Sequence, residues 1–246
     1  MLRRFSMSRL ITFLICTTLL CPLPLHAERC RLALVLALDV SGSVDESEYA
    51  MQLNGLSYAL NAAEVRAAIL SNPDNPVYLS VFEWSSQNHQ FLIQPWIALD
   101  SHDAIDVAVR RISAYQKKRA GLKTALSTAI LFAGELLKQK EHCWQKTIDV
   151  SGDGKNNIGP SPRQVYELDT FRDLTVNALV VGEPAASDSA TAEEEFTDLD
   201  LMNYFAREVI HGSAAFTLIA YGYEDYARAM QQKLMKEVTF PVLGLR

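Results

Sequence analysis

Asp39, Ser41 and Ser43 stand at alternate positions in the stretch Asp39-Val-Ser-Gly-Ser43, with a glycine at 42 where the chain can turn. One carboxylate and two hydroxyls at that spacing can direct three oxygens at one place. An all-oxygen donor set suits a hard cation such as Mg2+, which takes near-octahedral coordination and keeps part of its water. A second carboxylate, Asp153, sits in Ser151-Gly-Asp-Gly154, and its flanking glycines permit a tight turn that aims it the same way. Both motifs directly follow apolar, strand-like runs, and in open α/β sheets ligands bind beyond the carboxyl ends of strands. Other chemistry finds no support. The histidines at 89, 102, 142 and 211 have no zinc-binding spacing, and each reads as a surface or loop residue. Neither a Gly-x-Ser-x-Gly elbow nor a phosphate-binding glycine loop occurs.

The elements that must position these residues follow from hydrophobic periodicity. Residues 31–38 (RLALVLAL) form a short continuous apolar run, the pattern of a strand buried on both faces. After it, Leu53, Leu56, Leu60, Ala63 and Ala67 recur at three- and four-residue spacing, which predicts a helix with one apolar face. Pro73 and Pro76 end that segment. Residues 77–84 and 90–96 predict two strands joined by a polar turn at 85–89. A helix with a Ser cap is expected over 101–112, and Leu126, Ile130, Ala133 and Leu137 mark another. Strands are expected at 146–150, 174–181 and 214–220, and helices at 161–172, 199–209 and 223–237. Strands alternating with helices imply an α/β fold. Its central sheet is mostly parallel with one antiparallel edge strand, and helices cover both faces.

With its motifs in that order, the chain resembles the von Willebrand factor A-like family, and within it a bacterial exported branch. The resemblance covers essentially all of residues 28–246, which it implies are a single Rossmann-type domain of that family. In the family, Asp-x-Ser-x-Ser, a separate Thr and a later Asp form a metal-ion-dependent adhesion site. Asp39, Ser41 and Ser43 match the first element, Thr124 after Gly121 matches the second, and Asp153 matches the third. The resemblance implies that these five residues hold Mg2+ or Mn2+. An Asp or Glu carboxylate of a protein partner would then complete the shell, making the chain a binding module and not an enzyme. The loops near Lys123 and Lys155 would supply specificity. Two departures stand out: Leu122-Lys123 precedes the Thr where the family often has glycine, and Gly154-Lys-Asn-Asn157 follows Asp153. In the implied fold the strands after Cys30 and Cys143 are parallel neighbours, so a Cys30–Cys143 disulfide is expected at the end of the sheet opposite the metal. Two independent buried thiols are the alternative.

Three other readings compete. Ser41 and Ser43 could merely cap the following helix, although capping does not account for Thr124 and Asp153. The domain could bind its partner elsewhere and keep a structural or vestigial metal. Asp39-Val-Ser-Gly-Ser and Gly152-Asp-Gly-Lys-Asn-Asn157 also resemble motifs of haloacid-dehalogenase-type phosphatases. There, however, Ser41 replaces the general acid and Asn157 a metal-binding acid, and a serine is no general acid near neutral pH.

The compartment and partners are bounded by the ends and the charge. Arg3, Arg4 and Arg9, an apolar run over 10–20 and Ala27 predict a secretory signal peptide over residues 1–27. That run is too short for stable membrane insertion, so an exported protein is expected, periplasmic or extracellular. The first 27 residues hold three of the 23 basic and none of the 29 acidic residues, so the remainder carries a net charge of −9. That balance argues against nucleic acid as a partner. The acidic stretch 183–198 reads as a solvated segment, with a lid over the metal as the sharper alternative.

Overall fold

β1 (Leu32–Asp39) is buried along its whole length, and a strand apolar on both faces must lie inside a sheet with cover on either side. The computed structural model, which describes residues 29–182 and 199–239, places it there. Six strands run in the order β3-β2-β1-β4-β5-β6: β2 is Val77–Trp84, β3 Gln90–Leu99, β4 Gln145–Gly152, β5 Thr175–Gly182 and β6 Thr217–Tyr221. All neighbours pair in parallel except β2 and β3. The expected antiparallel strand is therefore β3, at the sheet edge, where Pro95 removes no ladder donor the sheet needs.

Alternate residues of β1 feed two apolar layers. Leu34, Leu36 and Leu38 pack with α1 (Glu46–Asn61), α3 (His102–Ser113) and α7 (Tyr226–Val238), through Leu56, Ile105 and Leu234 among others. Ala33, Val35 and Ala37 pack with α4 (Leu126–Lys138) and with Phe171 and Phe205. The apolar periodicity that predicts one long helix after Asp39 is broken at Ala62, whose extended backbone (φ −60°, ψ 136°) ends α1 and starts α2 (Ala63–Ile69). The helix expected over 161–172 is likewise interrupted. Ser161 and Gln164 form a capping box for the single turn α5 (Pro162–Val165), and a 3-10 turn at Asp169–Phe171 follows. Helix α6 (residues 199–204) runs on into a π-helical turn at Phe205–Val209. Among the described residues no helix is long and apolar enough to cross a membrane. The predicted signal peptide and the acidic stretch 183–198 lie outside the described residues.

The starts of β1 and β4 lie side by side, with the Trp144 N–H donating to the Cys30 carbonyl at 3.0 Å, and Cys30 and Cys143 are joined there in the expected disulfide. Next to it, the Arg31 guanidinium donates to the carbonyls of Ala68, Ile69 and Val238, covering the orphan carbonyls at the ends of α2 and α7 together. Further along the α7 layer a charged group is sealed from water. The Lys233 ammonium, fully buried, lies 2.9 Å from both Asp149 and Glu237, and Asn177 also donates to Glu237 at 2.9 Å.

One ammonium cannot neutralise two buried carboxylates. Burial, followed by the charge of Glu237, pushes the Asp149 carboxyl up to about 7 against the pull of Lys233. Burial alone would lower the Lys233 ammonium, but the two carboxylates hold it above its ordinary value. Asp149 thus holds its proton more tightly folded than unfolded. Its stabilising contribution is full below about pH 4 and is lost as pH rises to about 7. Asp149→Asn is expected to gain stability relative to the parent protein over that interval, read by urea unfolding; a difference independent of pH would contradict it. For the disulfide, replacing both cysteines by alanine is expected to lower the unfolding free energy by about 2–5 kcal/mol, as for other bridges closing long loops, by the same measurement.

Candidate metal centre

β1 ends in Asp39, and its neighbour β4 ends one residue before Asp153, so parallel pairing in register (Leu38 opposite Ser151) delivers both carboxylates to one end of the sheet. Asp39 is fully buried. Its Oδ1 accepts the Ser41 backbone N–H at 2.8 Å, which turns the chain back over the strand end. Its Oδ2 is buried and, among the described residues, receives no hydrogen bond. A Cβ on Gly152 would come within 3.3 Å of that oxygen, so glycine keeps the space beside it open.

The remaining oxygens close round from there. The Ser41 and Ser43 hydroxyls lie 3.4 Å apart, and Ser43 donates to Asp153 Oδ1 at 2.8 Å. Tyr223 donates to Asp153 Oδ2 at 3.4 Å. Thr124, just before α4, turns its hydroxyl toward the same loop: a Cβ on Gly154 would lie 3.8 Å from Thr124 Oγ1. The five residues read from the sequence are thus brought together. Neither serine caps α1, because Asp45 does so, accepting from the Glu48 N–H while Glu48 accepts from the Asp45 N–H. The capping alternative therefore fails, and both hydroxyls remain for the site.

Sequence reasoning missed what holds Thr124. Asn157 Oδ1 accepts the Thr124 N–H at 2.9 Å, and Thr124 O accepts the Asn157 N–H at 3.0 Å. The Asn157 amide also donates to Thr124 Oγ1 at 3.4 Å, and Asn156 Oδ1 accepts the Ser127 N–H at 3.2 Å. The α4 N-terminus has no side-chain cap of its own, and the two asparagines after Gly154 supply it from another strand end. That loop is in turn tied to α6: Lys155 pairs with Asp200 at 2.5 Å, and Tyr204 OH accepts the Asn156 N–H at 3.1 Å. The only signal in the sequence was the unusual Gly154-Lys-Asn-Asn157.

Electrostatically the centre calls for positive charge. Burial, then the charge of Asp153, pushes the Asp39 carboxyl up to about 8, against the hydrogen bonds from Ser41 and the field of Lys117. Burial also raises Asp153, opposed by its bonds from Ser43 and Tyr223. A hard divalent cation fits these residues. The donors are all oxygen, one buried carboxylate oxygen lacks a partner, and two carboxyls repel one another. A second group of potential ligands, Cys30, His142 and Cys143, lies at the far end of the sheet, but its sulfurs are joined to each other and are not thiolates.

A family model described as "Protein of unknown function (DUF1194)" matches residues 29–242. No curated protein matches. Among solved structures, a von Willebrand factor type A protein from Catenulispora acidiphila superposes with a TM-score of 0.56 at 12% identity, covering 85% of this chain and 43% of that one. Proximal thread matrix protein 1 from the mussel byssus, with a zinc-occupied MIDAS motif, gives 0.53 at 14% identity, covering 85% and 46%. An aerotolerance-related membrane protein from Bacteroides fragilis gives 0.51 at 15%, covering 83% and 99%. The fold is that of von Willebrand factor A domains, and the chain spans about half the length of the first two structures.

Asn157→Ala is expected to cost about 1–2 kcal/mol by orphaning the Thr124 N–H and to speed hydrogen exchange at that amide. Unchanged exchange at Thr124 would show that the asparagine does not hold it.

Proposed function

Because the chain belongs to the DUF1194 family of proteins of unknown function and has a von Willebrand factor A-like fold, we propose that it is a divalent-cation-dependent protein-binding module. The observation that carries this reading is the buried Asp39 Oδ2, left without a partner among the described residues beside the linked oxygens of Ser41, Ser43 and Asp153, with Thr124 against the loop that carries Asp153. Asp39, Ser41, Ser43, Thr124 and Asp153 would hold the ion, Mg2+ or Mn2+. The zinc-occupied MIDAS motif of the mussel protein supports a divalent ion on this fold.

When bound, the cation supplies a concentrated positive charge to which a partner's Asp or Glu carboxylate can attach. The chain's own residues do the rest. Asp39 and Asp153 balance the charge. Ser41 and Ser43 bring neutral oxygens, and Asn157 sets the reach of Thr124. A part of the pilus adhesin SpaC of Lactobacillus rhamnosus GG, 31% of its chain, has this fold, in keeping with an adhesive role. We propose binding without turnover. Ser41 stands where a phosphatase would need an acid, and the Asn157 amide is committed to Thr124. A protein exported to the periplasm or cell exterior fits the Cys30–Cys143 bridge, since such bonds persist in oxidising compartments.

Calorimetric titration of Mg2+ and Mn2+ into the purified protein is expected to show one-to-one binding that Asp39→Ala abolishes. Binding of equal strength in Asp39→Ala, or none in the parent protein, would refute the cation site.

A further inference from the structure

The segment Lys117-Lys118-Arg119 places three consecutive cations on a chain that is acidic overall, and the metal centre uses none of them as a ligand. Residues 115–121 form neither helix nor strand, yet their backbone is pinned. Beneath them the fully buried Glu83 carboxylate accepts the Lys118 N–H at 3.0 Å and the Tyr49 hydroxyl at 2.8 Å, and lies 3.2 Å from His89 Nε2. The Lys117 ammonium donates to the Val44 carbonyl at 2.7 Å, and the Gly121 N–H donates to Ser85 Oγ at 3.1 Å. Leu122 then closes over Gly42, where any Cβ would meet the Leu122 backbone at 3.1 Å. The segment is a rigid wall standing directly beside Ser41.

Between that wall and the Asp39–Ser43 turn runs a groove of about 450 Å3, floored by Val40, Ser41 and Val44. It meets a second depression of about 500 Å3 at Lys117 and Glu46, which continues past Tyr49 and Tyr115. The Lys118 and Arg119 side chains stand exposed on the wall, Lys118 against the Tyr115 ring. Among the described residues neither is paired with a carboxylate. Leu122 is 84% exposed at the groove's mouth.

We propose that this groove receives an acidic, extended segment of a protein partner. Its first carboxylate would lie at the cation, its next ones on Lys118 and Arg119, and an apolar side chain on Leu122. The inference rests on the cation-bridging reading and names the chemistry of its partner. Charge complementarity selects acidic residues. The exposed leucine favours a peptide over a uronate oligosaccharide, which has no apolar side chain to place there. The net charge of the rest of the chain disfavours a long polyanion, whereas a short acidic stretch meets only the local cations.

The test compares two amidated peptides in the presence of Mg2+ at low ionic strength, one with a single Asp and one with Leu, Asp and two following Glu. The second is expected to bind about fivefold tighter, the order given by two exposed ion pairs, with the advantage shrinking as salt is raised. Lys118→Ala with Arg119→Ala should erase the charge-dependent part of that advantage while leaving Mg2+ affinity and thermal melting unchanged. Lys118→Glu with Arg119→Glu should reverse it. Equal affinities, an advantage that survives the double alanine variant at all salt concentrations, or tighter binding of a uronate oligosaccharide of matched charge would overturn the groove. Failure of Mg2+ itself to bind would instead sink the cation reading, and the same comparison without metal would still decide the groove.

Discussion

A carboxylate at the end of a strand sealed on both faces has few ways to be satisfied, and Asp39 is in that position. Removing an ionised carboxylate from water is costly unless charge or hydrogen bonds replace the lost solvent. Here one oxygen receives the Ser41 N–H and the other receives no hydrogen bond from the described residues. The surroundings are arranged so that this oxygen stays reachable without being filled. Glycine at 152 leaves the space beside it, and Asp45 caps α1 in place of the serines. Burial and the neighbouring Asp153 both raise the Asp39 carboxyl, so ionising it in this place is costly.

Because the parts of the centre come from three separate strand-to-helix connections, their mutual position depends on contacts that are distant in sequence. Register between β1 and β4 aligns the two carboxylates to within one residue. Thr124 lies on no strand, and its position is set where the Ala125 N–H donates to the Ser85 carbonyl at 2.7 Å and where α4 packs on the sheet. The asparagines at 156 and 157 add a second anchor by clamping the start of α4. The loop that carries them is itself stapled to α6 by an ion pair and a tyrosine hydroxyl. In Gly154-Lys-Asn-Asn157 the asparagines thus act as a bracket between the β4 end and α4.

The two ends of the sheet have different characters. At the end bearing the centre, glycines, polar loops and repelling carboxyls leave free energy unspent. At the other end the Cys30–Cys143 bridge and the Arg31 guanidinium tie β1, β4, α2 and α7 together.

Much of this was legible in the chain itself. The apolar run before Asp39, the alternation of strands and helices and the two motifs that follow strands pointed to the fold class and to Asp39, Ser41, Ser43 and Asp153, while Thr124 was reached only through the family resemblance. These signals are local: a period of two or 3.6, or a motif directly after a strand, requires no knowledge of distant neighbours. Tertiary structure decided the rest. Lys233 and Glu237 sit four apart on α7, and only the packing of α7 on the sheet buries them against Asp149. His89 reads as a loop residue and is one, but Glu83 draws it inward to brace the basic wall. Ala62 divides a helix whose apolar periodicity continues unbroken across it. In each case the deciding partner lies on another element, and burial is a property of the assembled layers that no local pattern carries.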